Sequence, residues 1–230
     1  MAKAKTAFVC NDCGADFPKW QGQCGECHAW NTLSEIRLSA PTGKSSGMRA
    51  AVRTGFAGSV ATVKRLEEVA VVDLPRLSSG FDEFDRVLGG GLIPGSSILI
   101  GGHPGAGKST LLLQTLCYLA SEHSALYVTG EESPEQIAMR ANRLSLPTDQ
   151  LQLMAETDVD TILSSAESLK PKILVVDSIQ VVHSETLTSA PGSVSQVRDC
   201  AAQLTRYAKQ TGTVLILVGH VTKDGSIKKT

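Results

Sequence analysis

The chain of 230 residues is 42% hydrophobic and 20% charged, with a formal net charge of −1. That length can bury a full-sized core, and the near-zero charge excludes a global basic field, so any contact with nucleic acid must come from local patches. No apolar run approaches the roughly 20 residues that a membrane-spanning helix needs.

The opening MAKAKTAFVC carries lysines with no apolar stretch behind them. It does not read as a secretory signal, so a cytoplasmic, reducing setting is expected. There cysteines bind metal more often than they form disulfides. Cys10 and Cys13 are followed by Cys24 and Cys27, two C-x-x-C pairs across a short loop. This spacing suits a tetrahedral Zn²⁺ with four thiolates. Four protein ligands leave no open position, so the zinc is structural, and in so small a segment its binding supplies the folding energy. A redox dithiol pair or a disulfide scaffold is the alternative use. His28 adjoins Cys27 but is not needed as a ligand. Trp20 and Trp30 are expected to cover the knuckle, with base stacking as the alternative. Residues 1–36 therefore read as a zinc-binding knuckle.

Residues 37–65 are rich in Ser, Gly, Ala and Thr without apolar periodicity and read as a flexible linker. Its Lys44, Arg49 and Arg53 are solvated charges or phosphate contacts. From residue 66 to 230 strands and helices alternate. Apolar runs mark strands at 97–101, 125–129, 173–177 and 214–219. Ser133, Pro134 and Gln136 open a helix with a cap, a proline and a capping box. Ser193 and Gln196 repeat the box before a helix with Val194, Val197, Ala201, Leu204 and Ala208 on one face, and Gly212 ends it. Cys117 and Cys200 fall at helical core positions. The fold class is α/β, with a mostly parallel sheet covered by helices.

The segment GGHPGAGKST lies between the first strand and an apolar helix, the context a phosphate loop requires. Gly102, His103, Pro104, Gly105, Ala106, Gly107, Lys108, Ser109 and Thr110 form it. Glycines let backbone N–H groups approach phosphate oxygens, and the helix N-terminus adds positive potential. Lys108 reaches the β and γ phosphates of ATP, and Ser109 offers its hydroxyl to Mg²⁺. Asp177 ends a buried strand at the ligand edge and is the second Mg²⁺ candidate. Glu131 and Glu132 end another strand, where one of them can deprotonate the attacking water. Glu131 is the favoured base of the two, and an ordinary acidic first helical turn is the alternative for the pair. His220 lies just past a strand end on the same edge, placed to sense the γ phosphate.

With these motifs in view, the chain resembles a known family. The knuckle with KWQGQC and CHAWNT is followed by LSSGFDEFDRVLGGGLIPGS, GGHPGAGKSTLLLQ, YVTGEES, VVDSIQ, PGSVSQVRD and GHVTKDGS. This order is similar to that of the bacterial RadA/Sms proteins, RecA-like P-loop ATPases of DNA repair and recombination. The resemblance implies a RecA-like core, a hexameric ring, and binding of single-stranded DNA. It also implies helicase-like branch migration of recombination intermediates beside a RecA-type recombinase. By the same resemblance Gln196, Arg198 and Lys223 are DNA-contact candidates.

The family's Lys-Asn-Arg-Phe-Gly motif and Lon-like domain have no counterpart in this sequence. The expectation is a chain that binds ATP·Mg²⁺, turns it over slowly and leaves a sheet edge uncovered. Two other functions share the core motifs: a phosphotransfer switch similar to the circadian KaiC type, and a non-catalytic nucleotide-binding module.

Overall fold

The computed structural model describes residues 5–10, 15–38, 65–69 and 74–220. The amino-terminal part is a three-stranded antiparallel ribbon in the order β2-β1-β3. Its strands are β1 (Lys5–Cys10), β2 (Asp16–Phe17) and β3 (Leu33–Leu38). Phe8 pairs with Phe17 and Cys10 with Leu33. The ribbon's buried cluster is small: Cys10, Cys24 and Leu33, with Phe8, Ala15 and Phe17 packed against them.

The second part is a parallel five-stranded sheet in the order β4-β8-β7-β5-β6. The strands are β4 (Ser97–Gly102), β5 (Ala125–Thr129), β6 (Gln152–Ala155), β7 (Ile173–Asp177) and β8 (Val214–His220). Every residue of β5 and β7 is buried, which explains why they read as unbroken apolar runs. Alternate side chains feed two cores. Tyr127, Val175, Ile216 and Val218 join α2 (Lys108–Leu119) and α3 (Pro134–Arg143) on one face. Leu126, Val128, Leu174, Val176 and Leu217 join α4 (Val159–Leu169) and α5 (Val194–Thr211) on the other. A short helix α1 (Asp82–Val87) precedes the sheet.

The four expected strands are present, and β6 is an addition. Ser133 caps α3 as expected: its hydroxyl accepts from the Gln136 N–H, and the Gln136 amide accepts from the Ser133 N–H. The second box forms only by half. Ser193 accepts from the Gln196 N–H, but the Gln196 side chain bonds Ser184 instead. Gly212 ends α5 with φ +75°. Among the described residues β4 and β6 are the edge strands, pairing with β8 and β5 alone, and Leu99 on β4 is 55% exposed.

The triple glycine before β4 has a local cause. Leu77 and Leu92 exchange backbone hydrogen bonds, drawing two chain segments together. A Cβ on Gly91, at φ +116°, would sit 2.6 Å from the Leu77 carbonyl oxygen. Gly89, at φ +74°, would meet only the tip of Arg76. Gly89→Ala should therefore cost about 1–2 kcal/mol for its left-handed backbone alone. Gly91→Ala adds a steric cost of about 1–3 kcal/mol. Thermal melts of the two variants check the order; equal losses would remove the close-approach explanation.

Candidate nucleotide site and metal centre

All five parallel strands point the same way, so β4, β8, β7 and β5 bring their carboxyl ends to one edge. β4 leads into the phosphate loop. Gly105 and Gly107 hold φ of +79° and +87° with no heavy atom near where a Cβ would be. Backbone conformation rather than space requires glycine there. Lys108, only 9% exposed, folds back over the loop and donates to the carbonyls of Gly102 at 2.8 Å and His103 at 2.9 Å. Ser109 and Thr110 follow, half-buried, in the first turn of α2.

β8 lies between β4 and β7, and His220 at its end joins the loop to the acidic residues. Its Nδ1 is 3.5 Å from Lys108 Nζ, and its Nε2 is 3.1 Å from Glu131 Oε1. An ammonium only donates. Nδ1 must then be the acceptor, and Nε2 carries the proton that faces Glu131. The Glu131 carboxylate also accepts from the Ser178 hydroxyl. The Gln180 amide fixes His220 further by donating to its carbonyl at 3.2 Å.

Glu132 turns elsewhere. Arg140 on α3 donates to both its carboxylate oxygens, and Thr129 bonds its backbone on both sides. The adjacent glutamates thus have different surroundings. Asp177 is buried, and its Oδ2 accepts from the Tyr127 hydroxyl at 2.7 Å. Burial, and then the Asp177 carboxylate, push the Tyr127 phenol far above its ordinary range, so it stays a donor. The Ser109 hydroxyl and the Asp177 carboxylate are hard oxygen donors of the kind Mg²⁺ takes.

The structure brings together Lys108, Glu131 and His220. It adds four residues that the sequence did not single out: Tyr127, Arg140, Ser178 and Gln180. Gln196 does not support its expected contact with DNA. It is 2% exposed, accepts from the Ser184 N–H, and donates to the carbonyls of Ser184 and Ser189. Its amide shapes the 184–189 loop and has no free face for a nucleic acid. Arg198 is exposed on α5. Lys223 and the linker charges at 44, 49 and 53 lie outside the described residues.

In the ribbon, the Sγ atoms of Cys10, Cys24 and Cys27 lie within 4.8 Å of one another, while Cys13 falls outside the described residues. Cys10 and Cys27 are 3.7 Å apart at sulfur. Two thiolates on a tetrahedral zinc, each at about 2.3 Å, are separated by about 3.8 Å, so the pair fits that ion. The expectation that the tryptophans cover the knuckle is corrected. Trp20 is 58% and Trp30 69% exposed, both beside Gly22. Cys117 and Cys200 are buried core residues, and burial pushes the Cys200 thiol up to about 12.

A family model described as an AAA domain matches residues 62–226, and one described as a rubredoxin metal binding domain matches residues 8–35. The chain belongs to the AAA-domain family of P-loop ATPases, with a zinc-ribbon segment ahead of the core. Its resemblance to the RadA proteins holds over 99% of its length. It is 60% identical over 228 residues to DNA repair protein RadA of Escherichia coli (strain K12). The same-named protein of Haemophilus influenzae is 60% identical over 229 residues, and that of Bacillus subtilis (strain 168) 46% over 232. The chain covers 49% of each of these relatives, about half their length.

If the ribbon is a four-thiolate site, freshly purified protein should carry about one zinc per chain. Cys24→Ser should release it. Elemental analysis checks both, and less than about half an equivalent in the parent protein would count against the site.

Proposed function

We propose that this chain is the ATP-hydrolysing part of a DNA repair motor. The supporting observation is the unbroken line of contacts from the phosphate loop through Lys108 and His220 to Glu131. In this reading Lys108 leaves the loop carbonyls to bind the β and γ phosphates, and loop N–H groups cradle the rest. Ser109 and Asp177 hold Mg²⁺, which when bound neutralises charge developing on the transferred phosphoryl group. Glu131 is the base. Its carboxylate is oriented by Ser178 and His220, and it is the more exposed of the two glutamates. Glu132 is engaged by Arg140 and holds α3 in place. His220 loses its contact with Lys108 when nucleotide arrives, and so reports the occupied site to the chain that follows it.

The nucleic-acid part of the reading comes from the relatives' names and from the motif order. Single-stranded DNA and branched recombination intermediates are the proposed substrates, with Arg198 and Lys223 as contacts. A RecA-type recombinase is the proposed partner and a homo-hexamer the proposed assembly. The proposed division is a knuckle at 1–36, a linker at 37–65 and the ATPase core from 66.

ATP hydrolysis with and without single-stranded DNA, at two salt concentrations, tests this. Stimulation that fades with salt is expected, because phosphate contacts release counterions. Glu131→Gln should lower turnover by about 10²–10⁴-fold while ATP binding persists, and Glu132→Gln should lower it far less. A parent chain that binds ATP with no turnover to lose would leave only the non-catalytic module.

A further inference from the structure

Among the described residues Tyr127 is the largest of the fully buried side chains, and it lies in an apolar cluster with Leu112, Leu113 and Ile137. A phenylalanine would fill nearly the same space. A buried hydroxyl costs free energy unless it is bonded, so this one calls for a cause. Strand register supplies it. β5 and β7 pair Tyr127 with Val175 and Thr129 with Asp177. Side chains two apart share a face of a sheet. Tyr127 and Asp177 are therefore diagonal neighbours on the face that packs against α2, within reach of a long side chain. The phenol spans the diagonal and donates to Oδ2 of Asp177. An aspartate's terminal torsion is otherwise broad, so this bond selects one rotation of the carboxylate.

We propose that Tyr127 is a positioning residue for the cation: by holding Oδ2 it fixes the Asp177 carboxylate and leaves Oδ1 to face the magnesium shell of a bound nucleotide. This rests on the reading of Asp177 as a Mg²⁺ ligand. Mg²⁺ demands near-ideal octahedral geometry and gives up its waters reluctantly. A rotated carboxylate would therefore misplace either a direct bond or one through water. Groups that hydrogen-bond a ligating side chain tune metal affinity in this way.

The test is Tyr127→Phe, which keeps the ring and removes one oxygen. In the full chain, binding of a fluorescent methylanthraniloyl derivative of ATP is titrated with Mg²⁺. The midpoint Mg²⁺ concentration should rise about tenfold, with nucleotide affinity at saturating Mg²⁺ unchanged. In an Asp177→Asn background the same substitution should add no shift, because Tyr127 acts through Asp177. An unshifted midpoint, even with a lowered melting temperature, would show Tyr127 to be a core residue only and overturn the proposal. So would a shift that persists in full in the Asp177→Asn background. If the parent chain binds the nucleotide without any Mg²⁺ dependence, the assignment of Asp177 has itself failed and the proposal falls with it.

Discussion

Lys108, a lysine only 9% exposed, sets the terms for the whole site. Taking a charge out of water costs on the order of several kcal/mol unless partners replace the lost hydration. Lys108 finds them in two carbonyls of its own loop and in the imidazole of His220. The two carbonyls are available because glycines let the loop turn back on itself. The imidazole can help only in the tautomer that offers a lone pair at Nδ1. That tautomer in turn presents an N–H to Glu131, so one buried charge orders a chain of groups that ends at a carboxylate. Phosphate oxygens can replace the carbonyls as partners, and the same cost then favours a bound nucleotide.

Sheet order makes the chain possible. The phosphate loop follows β4 and Asp177 ends β7, yet these strands are not neighbours. β8 lies between them and delivers His220 into the gap. Gly219 just before it has the Leu99 side chain and the Gln180 amide close to where a Cβ would stand, at 3.4 and 3.5 Å. Gln180 uses that closeness to bond the His220 carbonyl. The inserted strand therefore positions the histidine at its backbone as well as through its ring.

What was legible in the sequence was local. β5, β7 and β8 are apolar runs because both faces of the sheet are covered. The phosphate loop and the Ser133 cap are each built within a few residues. β6 was missed because Gln152–Ala155 is short and lies at an edge, where pairing with β5 rather than its own pattern makes it a strand. Gln196 was misread for a related cause. Its position fits a capping box, but tertiary partners at Ser184 and Ser189 took its amide. Tyr127 with Asp177 and Ser178 with Glu131 are separated by 50 and 47 residues. Register brings the first pair together, and no spacing rule announces either. The exposed Trp20 and Trp30 mark the opposite error, since a segment with few buried groups among its described residues need not hide its aromatic rings when a metal can hold it.

The two glutamates show how neighbouring residues of one type come to differ. The residues are adjacent in the chain, and the structure separates their surroundings by giving each carboxylate different partners. Glu132 turns back onto α3, where a guanidinium meets both its oxygens and its backbone is bonded to Thr129. Glu131 turns forward to a hydroxyl and an imidazole, groups that orient a carboxylate without neutralising it. On the facing strand the same division appears between Asp177, held by a phenol from inside the core, and Ser178, which reaches out to Glu131. One strand end thus serves both the proposed cation site and the proposed base. A shift of that end would move Asp177 and the Ser178 hydroxyl together, and with them the partners of both proposed groups.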